Sequence, residues 1–341
     1  MNQPAPRLRV AVIGAGLAGL SAARALEDQG HQVVVVDKAR GPGGRMATRR
    51  YEAWRFDHGA QYFTARDPQF LQQVMAWCES GHVEPWGGRI GVVENGRIAS
   101  APAETERFVA VPGMSSICRA LARELADCRF EWRVRQVALS DAGWRVEAMD
   151  GRTIEADALV ITTPPDQVTP LLADPGLIAT VGQALHDLVM EPCWALMAVL
   201  DQPLLADWDA AFVNEGSLAW VCNQAARPGR PAAPAWVLHA TSEWSRTHLE
   251  TGAAQVVDGL LDAARLLPGA ASVHVEFAAA HRWRYSRARQ PLESGALWFE
   301  QQRLALAGDW CAGSRVEGAF LSGIAASRRI GAVGDPPTPA G

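Results

Sequence analysis

The sequence predicts an α/β protein in which a doubly wound, Rossmann-type dinucleotide-binding domain is interleaved with a smaller α+β domain on a mixed sheet. Three observations predict it. A glycine fingerprint follows an apolar strand near the start of the 341-residue chain, a second apolar strand soon afterwards ends in an acid, and beyond residue 165 the pattern changes to strands alternating around one amphipathic helix.

The first element is "RLRVAVIGAGLAGLSAARAL", residues 7–26. Val10, Val12 and Ile13 read as a buried strand, and Gly14, Gly16 and Gly19 give G-x-G-x-x-G. Gly14 allows the tight turn, Gly16 removes a side chain that would hold a pyrophosphate off the backbone, and Gly19 lets the helix lie close to the strand. A helix beginning near Leu17, with Ala18 in its first turn, aims unpaired N–H groups and the positive end of its dipole at phosphates. "HQVVVVDK" is a second strand, continuous in apolar residues as a sheet covered on both faces requires. It ends in Asp37, placed to bind the ribose hydroxyls of an adenosine, with Lys38 beside it. "KARGPGGRMATRR" brings a second glycine pair, Gly43 and Gly44, followed by Arg45 and Met46. A simple nicotinamide dehydrogenase has no need of another phosphate-compatible loop here, whereas a protein with a buried FAD does. In "FDHGAQYFTAR", residues 56–66, Gly59 and Ala60 are small enough to lie beside a flat ring system, and Gln61 and Tyr62 follow.

"PGMSSICRALAREL" (112–125) reads as a helix after a Pro-Gly turn. "FEWRVRQVAL", "WRVEAM" and "ADALVITTPP" read as strands returning to the sheet, with Val134 expected to pass the adenosine. After Pro164 and Pro165, "CWALMAVLD", "LAWVCNQ" and "AWVLHATS" alternate as strands, with a helix in "TGAAQVVDGLLDAARLL". "RLALAG" closes the sheet, with Gly308 and then Asp309 at its end, where a carboxylate can accept hydrogen bonds from ribityl hydroxyls. A final helix starting near Glu317 and Gly318 can aim its N-terminus at the pyrimidine edge of a flavin, where negative charge collects on reduction. Residues 1–75, 112–165 and 283–333 are thereby expected to form the FAD-binding domain, 76–111 and 166–282 the substrate domain, and 334–341 a disordered tail.

The net charge of -5 gives no field for nucleic acid or anionic lipid. No apolar run reaches membrane-spanning length, and the chain enters its first strand with no cleavable signal. Cysteines 78, 118, 128, 193, 222 and 311 are scattered, with no C-x-x-C and no metal-like pairing with histidine. A cytoplasmic protein with reduced thiols and no metal is expected.

The runs "GAGLAGLSAA", "DKARGPGGRM" and "DHGAQYFTAR" resemble the flavin-containing amine oxidase superfamily, and within it the chain is most similar to the bacterial renalase-like proteins. "WVLHATSEWS" (236–245), "AHRWRYSR" (280–287) and "ALAGDWCAGSRVEGAFLSGIAAS" (305–327) agree with that resemblance. The resemblance implies a two-domain arrangement like that of p-hydroxybenzoate hydroxylase and the amine oxidases. It implies FAD held without a covalent bond by Gly14, Gly16, Ala18, Gly19, Asp37, Lys38, Gly44, Arg45, Met46, Gly59, Ala60, Gln61, Tyr62, Val134, Gly308, Asp309, Gly318 and Ala319. Cys311 does not lie in the cysteine motif that monoamine oxidases use for covalent attachment. Tyr62, His239, Trp283 and Tyr285 are implied at the flavin face.

Renalase-like proteins are similar to oxidases of the 2- or 6-dihydro isomers of NAD(P)H. The flavin takes the hydride, NAD(P)+ leaves, and dioxygen reoxidises the flavin to give hydrogen peroxide. An amine oxidase acting on a small amine or polyamine is the alternative. Many such oxidases place a lysine near the flavin, but Lys38 is the only lysine and belongs to the adenosine end. A third reading, a partner-escorting protein without redox catalysis, is opposed by the retention of Arg45, Gln61 and Asp309. His239, in the strand W-V-L-H-A-T, reads as either a satisfied core histidine or a pocket residue. Arg227 and Arg230 would help a phosphate-bearing substrate, but their loop, "NQAARPGRP", reads as a site of solvated charge.

Overall fold

The computed structural model describes residues 7–102 and 105–332, so the tail expected at 334–341 lies outside the described residues. The chain divides into two compact units, one built from the residues up to Gly44, Cys118–Val189 and the chain from Ala288 on, the other from Arg45–Ile117 and Met190–Arg287.

In the first unit the unbroken apolar runs form a sheet buried on both faces, as such runs must. Arg9–Ile13 is paired in parallel with Gln32–Val36 on one side and Ala158–Ile161 on the other, Val10 standing opposite Val33 and Ala158. The six-stranded order is Leu297–Phe299, Leu304–Leu306, Ala158–Ile161, Arg9–Ile13, Gln32–Val36 and Cys128–Arg129. The helix Leu17–Asp28 packs on the last helix, Val316–Gly331, at Gly323, where a Cβ would overlap the carbonyl oxygen of Ala18. Of the strands expected to return to this sheet, Ala158–Ile161 does so. Val134–Ser140 and Gly143–Ala148 instead join Thr153–Ala156 in a separate three-stranded antiparallel sheet. Ala158–Ile161 is buried at every residue, whereas Gly143–Ala148 alternates, as a sheet with one covered face requires.

The second unit is a seven-stranded sheet in the order Val275–Ala288, Met190–Leu200, Ala235–Ala240, Leu218–Asn223, Ala210–Val213, Ile90–Glu94 and Arg97–Ser100. The strand Met190–Leu200, second in that order, is covered on both faces. Trp194, Leu196 and Ala198 pack with Val256, Leu260 and Ala264 of the helix Ala253–Arg265, while Met197 and Val199 pack with Phe56, Ala235 and Val237.

These divisions differ from the expected ranges at four places, one of them residues 112–117, which fall in the second unit. Residues 45–75 fall in the second unit because Phe56, on the strand Trp54–Asp57, belongs to the core of Met197 and Val237. Residues 166–189 fall in the first because Leu172 bridges Val137 and the Ala173 amide donates to Val137 O. Residues 283–287 complete an edge strand of the second unit. Among the described residues no helix is long and apolar enough to cross a membrane.

Candidate functional site

In the first unit the glycines serve two different ends. Gly14 has φ +111, and a Cβ there would overlap the Thr162 hydroxyl; a Cβ on Gly19 would overlap the Gly14 carbonyl oxygen. Gly16 is different, because nothing described lies within 4 Å of its Cβ position. Gly16 is also the N-cap of Leu17–Asp28, and no side chain caps that helix, whereas Asp67 and Asp174 cap Pro68–Glu79 and Pro175–Leu185. Open space beside an uncapped helix N-terminus is what a phosphate approaching the backbone needs. Asp37 accepts from the amides of Ala15 and Ala39, both at 2.7 Å, and a carboxylate has lone pairs left for ribose hydroxyls. The second glycine pair lies against the first: the Gly43 amide donates to Ala15 O at 2.9 Å, and a Cβ on Gly44 (φ +51) would stand 3.5 Å from the Gly16 Cα. Met46 is buried at the end of the short turn Gly44–Met46. Trp132 N donates to Asp37 O at 2.8 Å, which brings the start of the Val134 strand beside the acid. Lys38 is exposed, with Nζ 3.4 Å from Gln167 Oε1.

At the other end of the same unit, Asp309 O accepts from the amides of Ala312 (3.0 Å) and Ser314 (2.8 Å), and the Gly308 amide donates to Ser322 Oγ at 2.8 Å. A Cβ on Gly318 would overlap the Ala312 carbonyl oxygen, and no side chain caps Val316–Gly331. The Ala319 amide donates to Arg315 O within the helix, so the outward-facing N–H groups precede it. Gly16 and the two helix N-termini fit a dinucleotide, because packing does not require a glycine at position 16 and neither helix end carries a side-chain cap.

The second unit holds a buried polar core that sequence reasoning missed. Arg227 and Arg230, expected as solvated loop charges, have side chains only 2% exposed and converge on Asp57, 1% exposed. Gly229 (φ +68) and the Pro residues on either side turn the loop inward, and burial is made possible by the carboxylate. Arg227 Nη1 donates to Asp57 Oδ2 at 2.8 Å and Nη2 to Gln61 Oε1 at 2.8 Å, while Arg230 donates to the same carboxylate oxygen and to Arg55 O. Asp57 Oδ1 accepts from Thr48 Oγ1 at 2.6 Å and from the Met114 amide at 3.0 Å. Gln224 completes the set, accepting from the Asp57 amide at 2.9 Å and donating to Gln61.

The next residue, His58, is the centre of a second cluster. His239 Nε2 donates to His58 O at 3.1 Å and Trp283 Nε1 donates to the same oxygen at 2.8 Å. That bond places the His239 proton on Nε2. The His58 ring stacks on Trp283 at 5.1 Å between centroids and meets His281 edge-on at 4.7 Å. Burial pushes the His58 and His239 imidazoles down to about 4, with His281 adding to the effect on His58, and burial lowers His281 too. All three are neutral at pH 7. A Cβ on Gly59 would overlap Arg45 O and stand 3.3 Å from Trp283, and the Ala60 amide donates to Arg45 O at 2.9 Å. Arg45 Nη1 in turn donates to Ser286 O at 3.1 Å.

The structure therefore brings His239 and Trp283 together, on one carbonyl, where the sequence placed them separately at a ring face. Tyr285 shares the face of Trp283 and His281 along Val275–Ala288 by strand alternation. Arg282 and Arg284, of opposite parity, bind Glu250. Tyr62 stands apart with Trp86 and Trp220, at 6.1 and 5.6 Å between centroids. Guanidinium groups flank that aromatic set: Arg107 lies 5.5 Å from the Tyr62 ring and Arg227 5.5 Å from that of Trp86. His58 and His281 were the missed members, although both lie inside stretches already singled out for their neighbours.

Residues 12–77 match the NAD(P)-binding Rossmann-like domain, and residues 95–331 match the flavin containing amine oxidoreductase family. Over 154 residues the chain is 34% identical to a tRNA 5-methylaminomethyl-2-thiouridine biosynthesis bifunctional protein of Thiobacillus denitrificans, covering 42% of this chain and 24% of that protein. It is 42% identical over 71 residues to a 4,4'-diapophytoene desaturase of Staphylococcus aureus, covering 21% of this chain and 14% of the desaturase. The matched segments thus span a quarter or less of these relatives. In fold the chain is similar to an engineered triple variant of putrescine oxidase, with a TM-score of 0.75 at 14% identity over 95% of this chain and 99% of that one. A protein of Exiguobacterium sp. 255-15 assigned as a protoporphyrinogen oxidase gives a TM-score of 0.75 at 13% identity, over 95% and 98% of the two chains. With well over half of its length matched, the chain belongs to the flavin containing amine oxidoreductase family.

Proposed function

We propose that the protein is an FAD-dependent oxidase of 2- or 6-dihydro isomers of NAD(P)H, releasing NAD(P)+ and forming hydrogen peroxide from dioxygen. The observation that carries this reading is the charge around the aromatic groups of the second unit. Arg107 covers Tyr62, Arg227 covers Trp86, and the three imidazoles beside Trp283 are neutral. The carboxylate in that region, Asp57, is already held by four donors. A cationic amine meets like charge there, whereas a flat dihydropyridine meets aromatic surface, with the half-buried Arg107 beside it to face a phosphate.

FAD is proposed to be held by Gly14, Gly16, Gly19, Asp37, Gly44 and the N-terminal turns of Leu17–Asp28 and Val316–Gly331. When bound, it supplies the hydride acceptor and the route of electrons to dioxygen. The protein's own contribution is orientation. Uncapped helix ends bind phosphate and stabilise negative charge, and the rigid 57–62 stretch presents small residues, Gly59 and Ala60. His239 and Trp283 act by fixing the His58 carbonyl and so are positioning residues. Non-covalent binding is supported by Cys311, buried and pushed up to about 12 by desolvation, which leaves its thiol unreactive.

An amine oxidase is the second reading, favoured by the fold shared with putrescine oxidase. Product analysis in air separates them. The dihydro isomers should each give one equivalent of NAD(P)+ and one of peroxide, and spermine and monoamines none. Peroxide from an amine with none from the isomers would replace the first reading by the second.

A further inference from the structure

Residues 58–62 belong to no helix or strand, so no ladder satisfies their backbone. Side chains take its place. His239 and Trp283 hold the His58 carbonyl, and the Gln61 side chain folds back so that Nε2 donates to the carbonyl oxygens of Asp57 and Gly59, the latter at 3.2 Å. The carbonyls of Asp57, His58 and Gly59, successive along the chain, thus each accept from a side chain, and the Asp57 amide donates to Gln224.

The Gln61 amide is itself fixed. Its Oε1 accepts from Arg227 Nη2 at 2.8 Å and from Gln224 Nε2 at 3.3 Å. A guanidinium only donates and a backbone carbonyl only accepts, so the reversed amide would set a donor against Arg227 and an acceptor against two carbonyls. Both hydrogens and both lone pairs of the group are used, and Gln61 is buried. Its side chain, implied by resemblance as a contact to FAD, has no polar group left for a ligand.

We propose that Gln61 is a positioning residue for the flavin: its side chain clamps the 57–60 backbone from within, and Arg227 and Gln224 fix the one orientation in which the clamp closes. The inference rests on the reading that Gly59 and Ala60 lie beside the flavin ring, and it names the group that sets their geometry. A loop ordered before its ligand arrives loses less freedom on binding.

The test titrates the full-length apoprotein with FAD and, separately, with ADP, the part of FAD that the glycines of the first unit are proposed to hold. The visible spectrum and midpoint potential of the bound flavin are recorded for the unaltered chain, Gln61→Met and Gln61→Glu. Methionine keeps the length of the side chain and removes its hydrogen bonds, whereas glutamate keeps an acceptor for Arg227 but sets a carboxylate oxygen against two carbonyl oxygens. Both variants should bind FAD at least about tenfold more weakly, because two buried carbonyls lose their donor. The spectrum and potential of the bound flavin should shift in both, with ADP affinity unchanged. A residue that only stabilised the fold would leave that spectrum and potential unmoved.

Unaltered FAD affinity and spectrum in Gln61→Glu would make Gln61 a partner of Arg227 alone and overturn the proposal. So would a potential shift confined to glutamate, which is the effect of its charge, or an equal loss of ADP affinity, which is damage spread through the fold. If Gln61→Met does not fold, FAD affinity and spectrum in Gln61→Glu decide alone. An unaltered chain that binds ADP but not FAD would instead overturn the reading on which the inference rests.

Discussion

The two units build their sites from opposite materials. The cradle of the first is backbone: glycines at 14, 16, 43 and 44, two uncapped helix ends, and one acid binding two amides. The core of the second is side chain: arginines, imidazoles, indoles and a carboxylate gathered from positions up to 225 residues apart. Backbone sites tolerate change where the space is open and fail where it is closed. Side-chain sites fail when one charge is removed. Four perturbations sharpen that contrast, taken from the largest effect to the smallest.

Asp57→Ala should be the most damaging. It leaves two buried guanidinium groups without a carboxylate, at a cost of about 3–5 kcal/mol, read as a fall in the urea midpoint. A loss of under ~1 kcal/mol, the level of an exposed pair, would show that the core is wet and its charges screened.

A pair of glycine substitutions separates packing from ligand. In Gly323→Val the new side chain overlaps the Ala18 carbonyl, so the two helices must separate, costing about 1–3 kcal/mol whether or not flavin is present. In Gly16→Val the Cβ meets open space, so the apoprotein should keep nearly its normal midpoint while FAD retention is abolished. A Gly16→Val protein that is isolated with stoichiometric flavin would place the phosphate elsewhere.

Acid stability follows from the imidazoles. His58 and His239 have folded values near 4 against an ordinary 6.5, so the unfolded chain takes up protons first as pH falls. Their contribution is complete above about pH 6.5 and is lost as pH falls towards 4. Urea titrations across that window should show stability decreasing with acid, and His239→Gln should reduce the slope. An unchanged slope in His239→Gln would mean that this imidazole charges freely in the fold.

The smallest effect belongs to Trp283→Phe, which keeps the ring against His58 but removes one of the two donors to its carbonyl. The expected cost is about 0.5–1.5 kcal/mol, with His239 left to hold the oxygen.

The same contrast explains what could be read from the sequence. The geometry of the glycine loops was legible because their parts lie within 31 positions, Gly14 to Gly44, and glycine spacing states backbone geometry directly. The open space at Gly16 and the contact of the two glycine loops follow from it. Asp57 and Arg227 lie 170 residues apart, and no local pattern pairs them. A Pro- and Gly-rich loop carrying two arginines reads as solvent-exposed until its partner is known, so Arg227 and Arg230 were misplaced. His239 and Trp283 were singled out separately, and nothing local joins them, because convergence on one carbonyl is a tertiary fact. Continuous apolar runs were told from alternating ones in principle, yet Val134–Ser140 and Gly143–Ala148 were assigned to the main sheet when their alternation belongs to a separate one.

The central claim is that the second unit suits a phosphate-bearing dihydropyridine and repels an amine. Anaerobic stopped-flow reduction of the bound flavin tests it most directly. The account predicts fast bleaching by 2- and 6-dihydro NAD(P)H, slow or no bleaching by the ordinary 4-dihydro isomer, and none by spermine or monoamines. Faster bleaching by any of those amines than by both isomers would contradict it.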